Sequence, residues 1–143
     1  MTETTRVRLD DLTTSYTEGG SPVILYQGRP FEGIAVEYDG EQIISETSYA
    51  DGTQKGPSRT WYPSGQLESE SEFRSNRLHG RRREWREDGT LESETEMELG
   101  CIVRRTSFDE AGRLSTVYRV EDDPEGLSRL ERQRAIFQHH GLL

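Results

Sequence analysis

The chain holds one cysteine, Cys101, in 143 residues, so no internal disulfide can form and a reducing cytoplasm is its simplest compartment. Large aliphatic residues are scarce too: Leu, Ile, Val and Phe together number 28. With a formal net charge of −9, that composition borders on the class of chains that stay disordered. No apolar run approaches the roughly 18–20 residues of a membrane-spanning helix, and no early basic-then-apolar stretch resembles a signal peptide. A serine nucleophile elbow, a phosphate-cradling glycine loop and a dinucleotide fingerprint are all missing, and no cofactor is expected. The three histidines, His79, His139 and His140, lack the further ligands at useful spacing that a metal would need, so no metal site is expected. The acidic balance argues against general nucleic-acid binding, for which a basic footprint is required; Arg81, Arg82 and Arg83 form only a local basic patch.

Against disorder stand six Tyr, two Trp and four Phe, which are spaced regularly. The phrase RTWYPSGQLESESEF at 59–73 returns as REWREDGTLESETEM at 83–97. Trp61 to Trp85, Gly65 to Gly89, Leu67 to Leu91, Glu70 to Glu94, Phe73 to Met97 and Gly56 to Gly80 are each 24 residues apart. Ile43, Glu46 and Tyr49 lie 24 before Leu67, Glu70 and Phe73, and Tyr38 lies 23 before Trp61. Gly112 and Leu114 follow Gly89 and Leu91 by 23. About four units therefore run through residues 26–121.

Within a unit, PSG, EDG and EAG at 63–65, 87–89 and 110–112 set glycine where a tight turn needs positive φ. LESESEF and LESETEM alternate with a period of two, as half-buried strands do. Alternation puts Leu67, Ser69, Ser71 and Phe73 on one face and Glu68, Glu70 and Glu72 on the other. The neighbouring strands carry arginine: Arg59 before Trp61, and Arg82 and Arg86 around Glu84. Interleaving turns a repulsive Glu row into cross-strand pairs of roughly 0.2–1 kcal/mol each. The same row could instead be an acidic surface for a basic partner.

These units resemble the bacterial variant of MORN repeats, the group often labelled YwqK-type antitoxins. Its pattern runs approximately G-x-x-x-x-aromatic-x-x-x-G-x-L-x-x-E-x-x-aromatic. Gly56, Trp61, Gly65, Leu67, Glu70 and Phe73 match it, as do Gly80, Trp85, Gly89, Leu91 and Glu94, with Met97 replacing the last aromatic. The first unit uses Ile43 after Gly40; the fourth lacks its first glycine and carries Phe108, Gly112 and Leu114. The resemblance covers about two-thirds of the chain. It implies a mainly β fold, an antiparallel meander of ~24-residue hairpin repeats in one curved sheet, and a binding or scaffolding role.

The flanks differ. Residues 1–25 hold short strand-like pieces expected to belong to the same sheet. Residues 122–143 read as a helix with Asp123 as N-cap, Pro124 at its first position and Gly141 as its stop. Leu127, Leu130, Arg134 and Phe137 share one stripe of that helix, which should cap the last sheet unit; Leu142 and Leu143 should fray.

Two functions fit. The first is an interaction module, antitoxin- or immunity-like, that binds a protein partner through Trp61, Trp85, Phe73, Arg82 and Arg86. The second is a cofactor-independent enzyme of lyase, isomerase or cyclase type, with a small molecule on the curved sheet. Its acid–base candidates are His79, Tyr38, Tyr62, Glu70 and Glu94, over a floor of Trp61 and Trp85. An open edge strand also permits a homodimer.

Overall fold

The computed structural model describes residues 4–139, so His140, Gly141, Leu142 and Leu143 lie outside the described residues. The chain is mainly β with one C-terminal helix. Its first strands are β1 (Arg6–Arg8), β2 (Thr13–Tyr16), β3 (Pro22–Tyr26) and β4 (Arg29–Pro30). The repeats follow: β5 (Gly33–Asp39), β6 (Gln42–Ala50), β7 (Thr53–Trp61), β8 (Leu67–Arg74), β9 (Arg77–Leu78), β10 (Gly80–Trp85), β11 (Leu91–Glu98), β12 (Cys101–Phe108) and β13 (Leu114–Arg119). Helix α1 spans Pro124–His139.

Two alternating kinds of turn generate the array. At one end, Gln27-Gly28, Asp51-Gly52, Ser75-Asn76 and Leu99-Gly100 each put two successive residues at positive φ, as a type I′ hairpin turn requires. These pairs recur every 24 residues. Each of the last three hands its second amide back to the unit before: Gly52 N–H donates to the Phe31 carbonyl, Asn76 N–H to Gln54 and Gly100 N–H to Leu78, at 2.8–3.1 Å. At the other end, the amides of Tyr62, Arg86 and Asp109 donate to the carbonyls of Gln66, Thr90 and Arg113, while Gly65, Gly89 and Gly112 donate back to Tyr62, Arg86 and Asp109. Both turns pin the register, so each hairpin follows the last without a slip.

Among the described residues the strands make a ten-stranded sheet in the order β1-β5-β6-β7-β8-β10-β11-β12-β13, with β9 paired to β8. All pairings but one are antiparallel; β1 runs parallel to β5. The expectation that residues 1–25 join this sheet needs correction: β1 joins it, but β2 and β3 form a separate three-stranded sheet with β4. That small sheet docks at Gly52, whose carbonyl accepts from Ile24 N–H at 2.8 Å. A Cβ there would stand 2.5 Å from Val23 Cγ1, so both φ and space require glycine.

The apolar core lies at the two ends. Val7, Phe31 and Ala35 are buried at the first, with Leu12, Ile24, Tyr26 and Tyr49 around them. Cys101, Val120 and Leu130 are buried at the second, with Val103, Tyr118 and Leu127. Cys101 is thus a packed small hydrophobe. Helix α1 brings Leu130 and Phe137 into burial and leaves Leu127 half-buried. Arg134, on the same stripe, forks onto Glu98 of β11 at 2.9 and 2.7 Å. The N-terminus of α1 is held by Asp123, whose carboxylate accepts from Tyr118 Oη at 2.7 Å and from the Gly126 amide.

The middle of the sheet has no such core. Its buried side chains are Ser69, Ser71, Ser93 and Thr95. Longer cross-strand neighbours cover them: Thr95 stands between Arg82 and Arg105, and Ser93 beside Glu84. Hydroxyls pair across strands, Thr60 with Ser69 at 2.6 Å and Thr47 with Ser58 at 3.2 Å.

Candidate interaction face

Strict alternation is broken at the same place in each of four hairpins, besides register shifts at Thr47/Tyr49 in β6–β7 and Glu96/Met97 in β11–β12. In β5–β6, β7–β8, β10–β11 and β12–β13 the register shifts just before the last aromatic of the first strand. The extra residues are Ile44, Glu68, Glu92 and Ser115. Such bulges set two residues against one and turn both to the same side. The Thr60 hydroxyl accordingly reaches Ser69 Oγ at 2.6 Å and Glu68 Oε1 at 3.3 Å. Leu67 is therefore turned off the Ser69–Ser71 face where alternation had put it, and comes opposite Trp61.

The consequence is a stripe. Tyr38 faces Ile43, Trp61 faces Leu67, Trp85 faces Leu91 and Phe108 faces Leu114. Aromatic and aliphatic side chains thus alternate across eight consecutive strands, about 34 Å at ~4.8 Å per strand. The two tryptophans are two strands apart with Leu67 between them, so they interleave with Leu rather than stack on each other. Six of the eight are half-buried; Tyr38 is 36 % and Leu114 62 % exposed. The Arg8 guanidinium lies 4.6 Å over the Tyr38 ring at one end of the stripe. Helix α1 leaves the other end open, because it packs at the Cys101 end of β12.

Beside the stripe runs a charge ladder. Glu46, Arg59, Glu70, Arg83 and Glu94 stand opposite one another on β6, β7, β8, β10 and β11. Arg6–Glu46, Arg59–Glu70 and Arg83–Glu94 close at 2.6, 2.9 and 3.0 Å, and Arg81 adds a contact to Glu94 at 3.6 Å. Within the Glu rows, Glu70 and Glu94 are the members paired with Arg from adjacent strands. These half-exposed pairs contribute roughly 0.2–1 kcal/mol each. Beyond the stripe lie the turns, with Asp39, Glu41, Glu87 and Glu110 exposed. Asp88 and Asp109 are spent on their own turns, accepting from Thr90 and from Ala111 and Arg113.

Side chains from one turn clamp the next unit. Tyr62 Oη donates to the Trp85 carbonyl at 2.8 Å. Arg86, at the equivalent place one unit on, donates through Nη2 to the Phe108 carbonyl at 2.6 Å and through Nη1 to Asp109 at 3.4 Å. Burial, followed by the charges of Glu68, Glu92, Glu87 and Glu84, raises the Tyr62 phenol above its usual range and keeps it a donor. Sequence reasoning singled out Tyr62 and Arg86 but not this shared role, since a phenol and a guanidinium look unrelated. It also missed Gln66, whose amide donates to the Leu67 carbonyl at 3.1 Å beside Gly89.

The other candidates do not converge on one site. His79, before β10, accepts the Leu99 amide on Nδ1 at 3.2 Å. Trp85 ends that strand, roughly 20 Å farther along. Glu70 and Glu94 are ion-paired, and Arg82 bonds to Glu84 at 2.7 Å. Phe73 lies between Gly56 and Leu78 at the far end of β8. Glu70 and Glu94 thus stand on either side of Arg83 in the ladder beside the stripe, whereas His79 lies beyond the opposite end of β10 and Tyr38 on β5. Among the described residues no cluster of three or more His, Cys, Asp or Glu is placed to hold a metal, and no helix is long and apolar enough to cross a membrane.

Residues 54–75 match the family model of the MORN repeat variant; repeats of this kind generally serve binding or interaction. No curated protein matches the chain. Among solved structures, it is similar to a Staphylococcus aureus TarM mutant in complex with Fondaparinux, alpha-GlcNAc-glycerol and UDP, at 9% identity and a TM-score of 0.42, over 80% of this chain and 20% of that one. It is also similar to the accessory secretory protein 1, 2 and 3 structure of Streptococcus pneumoniae, at 13% identity and a TM-score of 0.21, over 79% of this chain and 18% of that one. This chain therefore spans at most about a fifth of either, and neither superposition is close enough to bear on function.

Proposed function

We propose that the chain is an interaction module that holds a protein partner against its striped face, in the manner of an immunity- or antitoxin-type protein covering a toxin. One observation carries this reading: eight registered apolar side chains, Tyr38 to Leu114, stand on a sheet between a self-neutralised ladder and acidic turns. A stripe that is apolar, partly exposed and already ordered is what a partner's side chains can bury at little ordering cost. The net charge of −9 favours a basic partner. Native mass spectrometry of the chain isolated from its own cells tests the reading. A stoichiometric protein complex is expected. Recovery of the bare chain, or of the chain with only a small molecule, would overturn it.

A further inference from the structure

We infer that the segment held on the stripe is a basic amphipathic helix of about 22 residues, lying across the strands. This rests on the interaction-module reading and specifies its partner's chemistry.

Backbone accounting comes first. From β6 to β12 every strand of the stripe has a paired neighbour on both sides, so a chain crossing them meets no open sheet edge. An extended segment laid there would leave its own amides and carbonyls without partners under apolar cover, which is costly. A helix satisfies its backbone internally, and only its side chains need to fit.

Spacing comes second. Tyr38, Trp61, Trp85 and Phe108 occupy every other strand, β5, β7, β10 and β12. Their rise along the stripe is therefore about 9.6 Å. Residues seven apart on a helix are about 10.5 Å apart, so one apolar face can follow the aromatics for three repeats. The full stripe of about 34 Å takes about 22 helical residues.

Charge comes third. On one flank, Arg59 and Arg83 are already paired with Glu70 and Glu94, so that side offers little net field. On the other flank, Asp39, Glu41, Glu87 and Glu110 are exposed on the first, third and fourth of the four turns at the margin of the stripe. Lysine or arginine along one edge of the helix would meet them, which sets which way round it lies. The clamps from Tyr62 and Arg86 fix the spacing of Trp85 and Phe108 before anything binds.

The two tryptophans of the chain, Trp61 and Trp85, both lie in the stripe and report its occupancy by fluorescence. Three synthetic peptides of about 22 residues serve as probes. One is a basic amphipathic helix with large apolar residues at heptad spacing. The second keeps that apolar face and replaces every Lys by Glu. The third is the basic peptide with two central prolines, which break the helix at unchanged charge. The basic helix should bind at least about tenfold more tightly than either relative, a difference of about 1.4 kcal/mol. Leu114→Glu, at a site 62 % exposed, should weaken that binding about tenfold and leave the melting temperature unchanged. Glu87→Lys combined with Glu110→Lys should do the same.

Equal binding by the proline-containing peptide overturns the helix. Equal binding by the acidic peptide overturns the charge assignment. Full binding by the Leu114→Glu protein overturns the stripe as the site. A native protein partner that is lost from the Leu114→Glu chain, with no preference among the three peptides, sinks this inference and spares the module reading; a partner that still binds the Leu114→Glu chain, or no partner at all, sinks both.

Discussion

Leu99 offers the sharpest test of how the array is terminated. It occupies the first position of a type I′ turn at φ 52°, a conformation that costs an ordinary L-residue about 1–2 kcal/mol. Turn chemistry alone would choose Asn there, since Asn-Gly is the favoured pair. Yet Leu99 is 1 % exposed, beside the Glu98–Arg134 fork that ties α1 to the sheet. Removing a buried leucine costs about 2–5 kcal/mol, and an amide buried without a partner adds about 1–3 kcal/mol. Relief of the backbone returns about 1 kcal/mol. Packing therefore wins, and Leu99→Asn should destabilise by about 3 kcal/mol. At a urea slope near 2 kcal/mol/M, the midpoint falls by roughly 1.5 M.

Ser75 is the control: it holds the same position one unit earlier, at φ 48°, but is exposed. Ser75→Asn should be neutral or slightly stabilising. Tryptophan fluorescence and far-ultraviolet circular dichroism in urea, run together, also show whether the array still unfolds as one unit. A Leu99→Asn midpoint equal to or above that of the parent would refute the reasoning, because the turn would then outweigh the packing.

Other expectations follow from single contacts. The Tyr62 phenol is held protonated, so its bond to Trp85 is present below the ordinary tyrosine range and lost as pH rises through the folded-state value; Tyr62→Phe should delete one late-ionising phenol from an ultraviolet absorbance titration, and an unchanged titration would count against the bond. Arg134 holds the Glu98 carboxyl below its usual range, so the fork contributes above that range and is lost as pH falls through the folded value; Glu98→Gln should abolish this acid limb, at a cost of about 0.5–1 kcal/mol at neutral pH for so exposed a pair. Gly126→Ala, ordinarily about 1 kcal/mol stabilising in a helix, should lower the melting temperature, because the added Cβ would stand 2.5 Å from Asp123 Oδ2 and 2.7 Å from Tyr118 Oη.

The repeat length, the strands and the Arg59–Glu70 pairing were legible in the sequence because all rest on residue type at fixed spacing, whereas Arg82 and Arg86, read as partners of the Glu rows, bond to Glu84 of the same strand and to backbone carbonyls. Trp61 to Trp85 and Glu70 to Glu94 carry that signal directly. The bulge was not legible. Nothing in LESESEF marks Glu68 as the extra residue; it follows from pairing Trp61 with Leu67, which is a property of two strands. The I′ turns were hidden for a different reason. Gln27-Gly28, Ser75-Asn76 and Leu99-Gly100 share a backbone and almost no side-chain chemistry, and Leu99 violates the usual preference outright. The split of the N-terminal strands into a second sheet depends on contacts around Gly52 and Phe31, distant in sequence from β2.

The distribution of apolar residues ties these features to function. The middle repeats bury serine and threonine where a globular domain buries leucine, so their stability comes from register, paired hydroxyls and ion pairs more than from a core. In such a sheet, large apolar side chains are available for another use. The bulge turns Leu67 and Leu91 off the hydroxyl face and sets them in one row with Trp61 and Trp85. Tyr62 and Arg86 then fix that row from the backbone side, one unit to the next, although they share no chemistry beyond donating a hydrogen bond. The row's spacing is also the quantity a rigid helical ligand would read, so loosening a clamp through Arg86→Ala should weaken binding of the basic helix before it unfolds the sheet.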